Sequence, residues 1–202
     1  LAQRLDLTPA KKLWLAERKI ETPERLRRQE YMAEFLTDGR EVFRKTTRSR
    51  NSVSFNRQEL AAFFDGRNRF ELFHNHPRST SLSIPDLRMG TLPGIESVIA
   101  VAHDGTIFTA RSLVDANIIE NAANPLINAL KSRLSPLVAA RTITPDQADA
   151  LHQHLQNLAL QRLKMIDYRV DNVAGNTRAA LAVVGESFVE DTLRSLYDMV
   201  RR

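Results

Sequence analysis

Hydrophobic and polar residues alternate in the first half of the chain, whereas the second half shows helical spacing. Residues 30–36 and 41–47 alternate on either side of the turn dipeptide Asp38-Gly39, which predicts an antiparallel hairpin. Asn56 is typical of an N-cap and predicts that a helix follows it. Further strands are predicted over 52–55, 69–73, 95–102 and 106–110.

The residues after position 115 show no strand pattern, so we predict that they form helices. Thr144 and Gln147 form a capping box that opens the middle helix, and two short helices are expected to begin at Thr8 and Thr22. Helix breaks are expected at Pro125, Pro136, Pro145 and Gly175. We expect the apolar stripe of the middle helix to pack within the chain rather than on another subunit. The stripe consists of Ala148, Leu151, Leu155, Leu158, Ala159 and Leu163.

These elements predict an α/β fold in which a mixed β-sheet is flanked by helices and followed by a C-terminal helical appendage. The expected organisation is an N-terminal helical segment over 1–23, a sheet domain over 24–114 and a helical region over 115–202. With 202 residues, 43% of them hydrophobic, the chain is long enough to bury a core.

Composition narrows the class of protein further. No apolar run reaches the ~18 residues that a membrane span requires, and the start at Leu1 lacks the regions of a signal peptide. We therefore expect a soluble fragment of a longer protein, compatible with the cytoplasm. The chain has no cysteine, which excludes disulfides and thiolate zinc sites and leaves histidine and carboxylate as zinc ligands.

The chain is basic, with a net charge of +5 and a pI near 9.9. Such a charge is compatible with contact to nucleic acid or an acidic partner, and equally with a solvated basic surface. No aromatic RNA-binding motif lies between the basic residues, and aromatic residues make up only 6% of the chain. The clustered basic residues are Arg25, Arg27, Arg28, Arg44, Lys45, Arg48 and Arg50.

Candidate metal ligands follow the β-prone run 69–73. His74 and His76 are two residues apart, and alternate side chains of a strand share a face, so both rings should project together. Zinc binds imidazole nitrogens at about 2.0–2.1 Å, and a catalytic site typically combines three protein ligands with a water. Asp86, three residues after Ser83, is the natural third ligand.

A second His-x-His pair, His152 and His154, has the same spacing but lies in the segment 145–168, which is predicted to be helical. With 3.6 residues per turn its rings would point about 200° apart, so we do not expect this pair to share a metal. His103 falls at a predicted hairpin turn and is expected to be solvated.

Each part of the candidate site also has a purely structural interpretation. Ser83 and Asp86 form an ordinary helix-capping pattern, although a capping serine and a ligand aspartate are compatible at one helix start. The two histidines of the strand could be a buried polar pair without metal, which would require hydrogen-bond partners.

The pattern of an upstream glutamate, His-x-His-Pro and then Ser-x-x-Asp resembles the signature of the JAMM (JAB/MPN) metalloprotease superfamily. The resemblance covers about half the chain and is nearest to the bacterial RadC-related branch and to JAB-type domains of phage and polymorphic-toxin proteins. One residue fewer than in the family pattern separates His76 from Asp86. The resemblance implies that His74, His76 and Asp86 hold Zn2+, that Ser83 stabilises an oxyanion and that the upstream glutamate activates water.

Glu30 best matches the glutamate of the family pattern, because it opens the first predicted strand before the hairpin turn. Glu34 has the same strand parity and remains the alternative. Glu71 would face away from the histidines on its own strand.

By resemblance, the protein is a zinc-dependent hydrolase, a peptidase or isopeptidase that acts on a protein or peptide substrate. One alternative is a RadC-like or toxin- or phage-associated domain that acts on or binds nucleic acid, which the basic clusters would support. The other is a non-catalytic interaction module with structural zinc. The phage and toxin relatives add delivery by a phage or secretion system to the expected locations.

Overall fold

The structure is a computed structural model, and its central feature is a six-stranded mixed β-sheet flanked by helices, which confirms the predicted fold class. The residues it describes are 31–46, 55–76 and 78–201, together with Pro9, Lys11, Lys12 and Trp14. The strands are β1 (Tyr31–Leu36), β2 (Glu41–Thr46), β3 (Phe70–His76), β4 (Ile95–Ala102), β5 (Ile107–Ser112) and β6 (Ile166–Asp171). The helices are α1 (Arg57–Asp65), α2 (Ile84–Met89), α3 (Ala116–Ala139), α4 (Pro145–Arg162) and α5 (Gly175–Val200).

The strand order across the sheet is β2-β1-β3-β4-β5-β6. Only the pairing of β3 with β4 is parallel within this sheet, and the chain passes between these two strands through α2. Parallel neighbours require such a crossover, whereas antiparallel neighbours can be joined by a tight turn. The crossover brings the amino end of α2 to the carboxyl end of β3.

Both predicted hairpins are present, β1 with β2 and β4 with β5. Gly39 and Gly105 occupy their turns with φ of 89° each, a conformation that side chains disfavour. Asn56, Ser83 and Thr144 each form a complete capping box at the start of a helix. Of the strand predicted over 52–55, residues 52–54 lie outside the described residues and Phe55 is not in a strand; the helix predicted to begin at Thr22 also lies outside the described residues.

Apolar layers cover the two faces of the sheet. On one face Leu72, Val98 and Ala100 belong to a large core that includes residues from α2, α3, α4 and α5. On the other face Phe73 packs edge-on against Trp14, with ring centroids 5.8 Å apart, in a smaller core. This two-sided cover explains why the last five residues of β4, 98–102, form an unbroken apolar run.

The C-terminal region contains one strand that was not predicted. β6 pairs antiparallel with β5, so the expectation that all residues after 115 are helical was wrong. Ile166 and Tyr168 are buried and Asp167 is exposed, which is the period-2 pattern of a half-buried strand. The helix predicted over 145–168 included the first residues of this strand, so their short alternation was not interpreted as a strand.

The helix breaks predicted at Pro125 and Pro136 were also wrong, because α3 continues through both prolines. An interior proline costs about 3 kcal/mol through a lost hydrogen bond and a steric clash. Burial of an apolar row along α3 offsets that cost, at about 1.5–3 kcal/mol for a large side chain. The buried row consists of Ile119, Ala122, Ala123, Leu126, Leu130 and Leu134.

The helical region packs on the sheet rather than standing apart from it. Leu151 and Leu155 of α4 are fully buried in the large core, which confirms the predicted intramolecular packing of this helix. Across the described residues, no helix combines the length and hydrophobicity that crossing a membrane requires.

Candidate metal centre

The last residues of β3 and the first turn of α2 bring the three predicted ligands together. His74 and His76 lie on the same face of β3, with ring centroids 4.7 Å apart. Asp86 lies in the first turn of α2, which the crossover places at the end of β3. Asp86 therefore reaches both histidines, although one residue fewer than in the JAMM pattern separates it from His76.

The ligand atoms converge at distances that suit one metal ion. His74 Nε2 lies 3.2 Å from Asp86 Oδ1, and His76 Nε2 lies 3.4 Å from Asp86 Oδ2. Tetrahedral bonds of 2.0–2.1 Å imply ligand atoms about 3.3 Å apart, so both distances fit zinc. The two Nε2 atoms are closer, at 2.8 Å, a separation that also fits a hydrogen bond between the imidazoles. Within the described residues, this is the only group of three such side chains with metal-binding geometry.

A backbone contact fixes which nitrogen of His76 faces the triad. Its Nδ1–H donates to the carbonyl oxygen of Thr80, 2.8 Å away, so Nε2 is the nitrogen directed at the triad. Metal-ligating histidines almost always donate their second nitrogen to a carbonyl or carboxylate in this way. His76 therefore has the outer contact expected of a metal ligand.

Ser83 holds the third candidate ligand. Its backbone N–H and its hydroxyl donate to Asp86 Oδ2 at 2.7 and 2.6 Å. Burial alone would raise the pKa of Asp86, but the charge and hydrogen bonds of His74 and His76 outweigh burial and hold it well below its ordinary value. The carboxylate is thus kept ionised, and Ser83 contacts it in the double role of helix cap and support.

The loop between the ligands is tied to the C-terminal region by a buried polar network. Asn157 of α4 donates through Nδ2 to Ser81 Oγ and to the Leu82 carbonyl, both at 2.9 Å. Ser81 Oγ lies 2.7 Å from the hydroxyl of Tyr168, which lies 2.9 Å from His154 Nδ1. The hydrogen bonds can all be donated in one direction: Asn157 donates to Ser81, Ser81 donates to Tyr168, and Tyr168 donates to His154.

The sequence patterns did not predict this network. Burial raises the pKa of Tyr168, so its hydroxyl stays protonated, and burial lowers the pKa of His154 to about 4, so its ring stays neutral. The alternation of β6 was a signal that would have marked Tyr168 as an inward-facing residue. Nothing in the sequence pairs Asn157 with a loop 75 residues away.

An open groove of about 490 Å³ adjoins the triad, and His74 and Asp86 are among its lining residues. It crosses the sheet between α1 and α2. The described lining is mostly apolar, and its polar residues lie at the triad end or are Arg88 and Thr91. Its other described lining residues are Met32, Phe55, Leu60, Phe64, Leu72, Ser83, Pro85, Arg88, Met89, Thr91, Leu92, Val98 and Ala116.

The three glutamates considered as general base lie in different settings. Glu30 lies outside the described residues. β1 runs antiparallel to β3 with Met32 opposite His74, so the amino end of β1 lies beside the histidines. Glu71 pairs with Lys11 on the opposite face of the sheet, as its parity predicted.

Glu34 is buried on the same face as His74, opposite Leu72 and one row further along the strands. Burial, followed by the charge of Glu59, raises its pKa to about 7, and Lys45 partly opposes the shift. Its Oε1 has no hydrogen-bond partner in the part of the chain that the structure describes. Such a pKa suits a general base, although Glu34 is not among the described residues that line the groove.

The remaining candidates have structural settings. His152 and His154 on α4 have separate partners, the Ile127 carbonyl and the Tyr168 hydroxyl, as helical spacing predicted. His103 is exposed in the turn between β4 and β5, as expected. Of the seven clustered basic residues the structure describes two, Arg44 and Lys45, and each pairs with a carboxylate.

No protein-family model matches the chain, and no match was found among curated proteins or solved structures. The likeness to the JAMM superfamily therefore remains an expectation from the motif. Function has to be inferred from the geometry and chemistry of the site.

Proposed function

We propose that the protein is a zinc-dependent hydrolase of the JAMM type, a peptidase or isopeptidase that cleaves an amide bond. The observation that carries the proposal is the convergence of His74, His76 and Asp86, whose ligand atoms all lie within 4.8 Å of one another. The second-nitrogen contact of His76 and the hydrogen-bonded carboxylate of Asp86 support it.

The setting of the triad favours a catalytic over a structural metal. Structural zinc sites are usually closed by four protein ligands, whereas catalytic sites keep one position for water or substrate. Here the described residues offer three ligands, and the triad borders an open groove. A substrate could reach the metal from that groove.

The residues of the chain divide the chemistry between them. His74, His76 and Asp86 would hold zinc, which when bound lowers the pKa of a coordinated water to about 7 and polarises a carbonyl. Glu30 would take the proton from the attacking water and pass it to the leaving amine. Ser83 orients Asp86 through its hydroxyl, and it would support the oxyanion of the transition state if that hydroxyl turned toward the substrate.

The nucleic-acid alternative receives less support from the described surface. Arg44 and Lys45, the two described members of the basic clusters, contact Glu41 and Glu59. Binding of a labelled oligonucleotide that weakens steeply with salt, together with absence of peptide cleavage, would favour this alternative over the peptidase.

The first experiment is elemental analysis of the purified protein after dialysis against a weak chelator. We expect about one zinc per chain. Absence of zinc would contradict the metallohydrolase and favour a binding role for the fold. Zinc whose removal unfolds the protein, without any turnover, would indicate a structural metal.

The second experiment measures cleavage of a peptide library by mass spectrometry in wild type, Glu30→Gln and Glu34→Gln. Loss of the general base should lower turnover by about 10²- to 10⁴-fold while zinc content stays unchanged. We expect this result for Glu30→Gln. The same result for Glu34→Gln alone would transfer the role of base to Glu34.

A further inference from the structure

The walls of the groove beside the triad are built from large apolar side chains. Leu60 and Phe64 of α1 line one side, and Met89 and Leu92 line the other. Phe64 is 62% exposed and adds a large apolar side chain to the exposed surface of the groove. An exposed apolar patch of this kind is typical of a binding site.

The groove offers little to a charged ligand away from the triad. Arg88 is the one permanently charged residue among its described lining residues. Its Nε lies 2.8 Å from Glu120 Oε1, so its charge is already paired at the rim. A charged side chain entering the groove would lose hydration without gaining an unpaired charged partner among the described lining residues away from the triad.

We infer that the site selects a substrate with a large apolar side chain, such as leucine or phenylalanine, next to the scissile amide. This inference rests on the proposed function, because His74 and Asp86 at the end of the groove set where the amide lies. The volume of about 490 Å³ falls within the roughly 300–1,000 Å³ typical of ligand pockets. It accommodates such a side chain with its flanking backbone.

Amino-acid hydroxamates test the zinc site and the apolar groove separately. The hydroxamate group binds zinc, and the amino-acid side chain would occupy the groove. Affinities of acetohydroxamate and of the glycine, aspartate, leucine and phenylalanine hydroxamates are measured by calorimetry on the zinc-loaded protein. Burial of the apolar side chain should make the leucine and phenylalanine compounds bind about 10- to 100-fold more tightly than the glycine compound. The aspartate compound should bind no better than glycine.

Phe64→Asp tests the groove itself, with Val183→Asp as the matched control. Both residues are exposed apolar residues on helices, but only Phe64 is among the described residues lining the groove. Phe64→Asp should reduce the advantage of phenylalanine over glycine hydroxamate by about 3- to 10-fold. Val183→Asp should leave it unchanged.

Equal affinity for the glycine and phenylalanine compounds, with acetohydroxamate still bound, would overturn the apolar groove but leave the metal site intact. Failure of every hydroxamate to bind would overturn the proposed function, and the inference with it. An advantage of phenylalanine that survives Phe64→Asp, or that Val183→Asp removes equally, would overturn the assignment of the selecting surface to this groove.

Discussion

The two His-x-His pairs of this chain have the same spacing and opposite structural outcomes. On β3, His74 and His76 point the same way, and their Nε2 atoms lie 2.8 Å apart. On α4, His152 contacts the Ile127 carbonyl while His154 is buried against Tyr168. A spacing of two residues converges on a strand and diverges on a helix, so local conformation decides which pair can share a metal.

The second pair nevertheless contributes to the first. His154 lies 2.9 Å from the Tyr168 hydroxyl, which lies 2.7 Å from Ser81 in the loop between the ligands. The helical histidine is thus a supporting residue of the loop that follows His76. One pair offers ligands, and the other helps to hold the segment that positions them.

The sharpest test of this difference removes one histidine from each pair. His76→Ala should reduce zinc from about one per chain to none after dialysis against a weak chelator, because two ligands remain. His152→Ala should retain the metal. Zinc that survives His76→Ala, or disappears in His152→Ala, would contradict the assignment of ligands.

The buried histidine of the helical pair should make stability depend on pH. The pKa of His154 is lowered from 6.5 to about 4 by burial, so between these values the unfolded chain binds the extra proton and stability falls as the pH falls. The contribution is fully present above pH 6.5, and about 3 kcal/mol is lost by pH 4. Urea unfolding of wild type and His154→Gln at several pH values measures the difference, which should vanish if His154 titrates normally.

Glu34, on the strand next to His74 and His76, should make stability depend on pH in the opposite direction. Its pKa is raised from 4.5 to about 7, so its folded form retains a proton that the unfolded chain has lost. The stabilising contribution is present below pH 4.5 and is lost as the pH rises through 7, at a cost of about 3 kcal/mol. Glu34→Gln should therefore be more stable than wild type at pH 8 and gain less at pH 5. Equal gains at both pH values would exclude the raised pKa.

Asn157→Ala should break the connection between the two regions. It leaves Ser81 and the Leu82 carbonyl without their donor, which should cost about 1–3 kcal/mol of unfolding free energy. Zinc affinity should fall by up to about tenfold, because outer contacts orient ligands. Gln161→Ala is the matched control, since the side chain of Gln161 donates to the Tyr168 carbonyl rather than to the loop. It should lower stability alone, and equal zinc loss in both variants would argue against a positioning role for Asn157.

The smallest expected effect comes from two equivalent helix caps. Ser83→Ala and Thr144→Ala each remove a capping-box hydroxyl and should each cost about 1 kcal/mol of stability. Only Ser83→Ala should also weaken zinc binding, by up to about tenfold, because its hydroxyl donates to Asp86. Thermal unfolding and competitive zinc titration separate the two effects. Identical zinc affinities of the Ser83→Ala and Thr144→Ala variants would show that Ser83 acts only as a helix cap.

Sequence patterns predicted several local elements of the fold well. The turn at Asp38-Gly39, the strand that carries the histidines and the cap at Ser83 are local features, and each is present. The continuity of α3 through Pro125 was not predictable in this way, because burial against distant elements offsets the local penalty. The short strand β6 was missed because its six residues follow directly on a strongly helical segment.

The sequence alone determined which residues could bind a metal and that His74 and His76 would share a face, because side-chain alternation along a strand is a property of the local backbone. Only the tertiary structure decided that Asp86 reaches both histidines, that Asn157 and Tyr168 hold the intervening loop, and that an apolar groove adjoins the triad. Those contacts join residues far apart in the chain, and their partners are set by how the sheet and helices pack rather than by any local pattern.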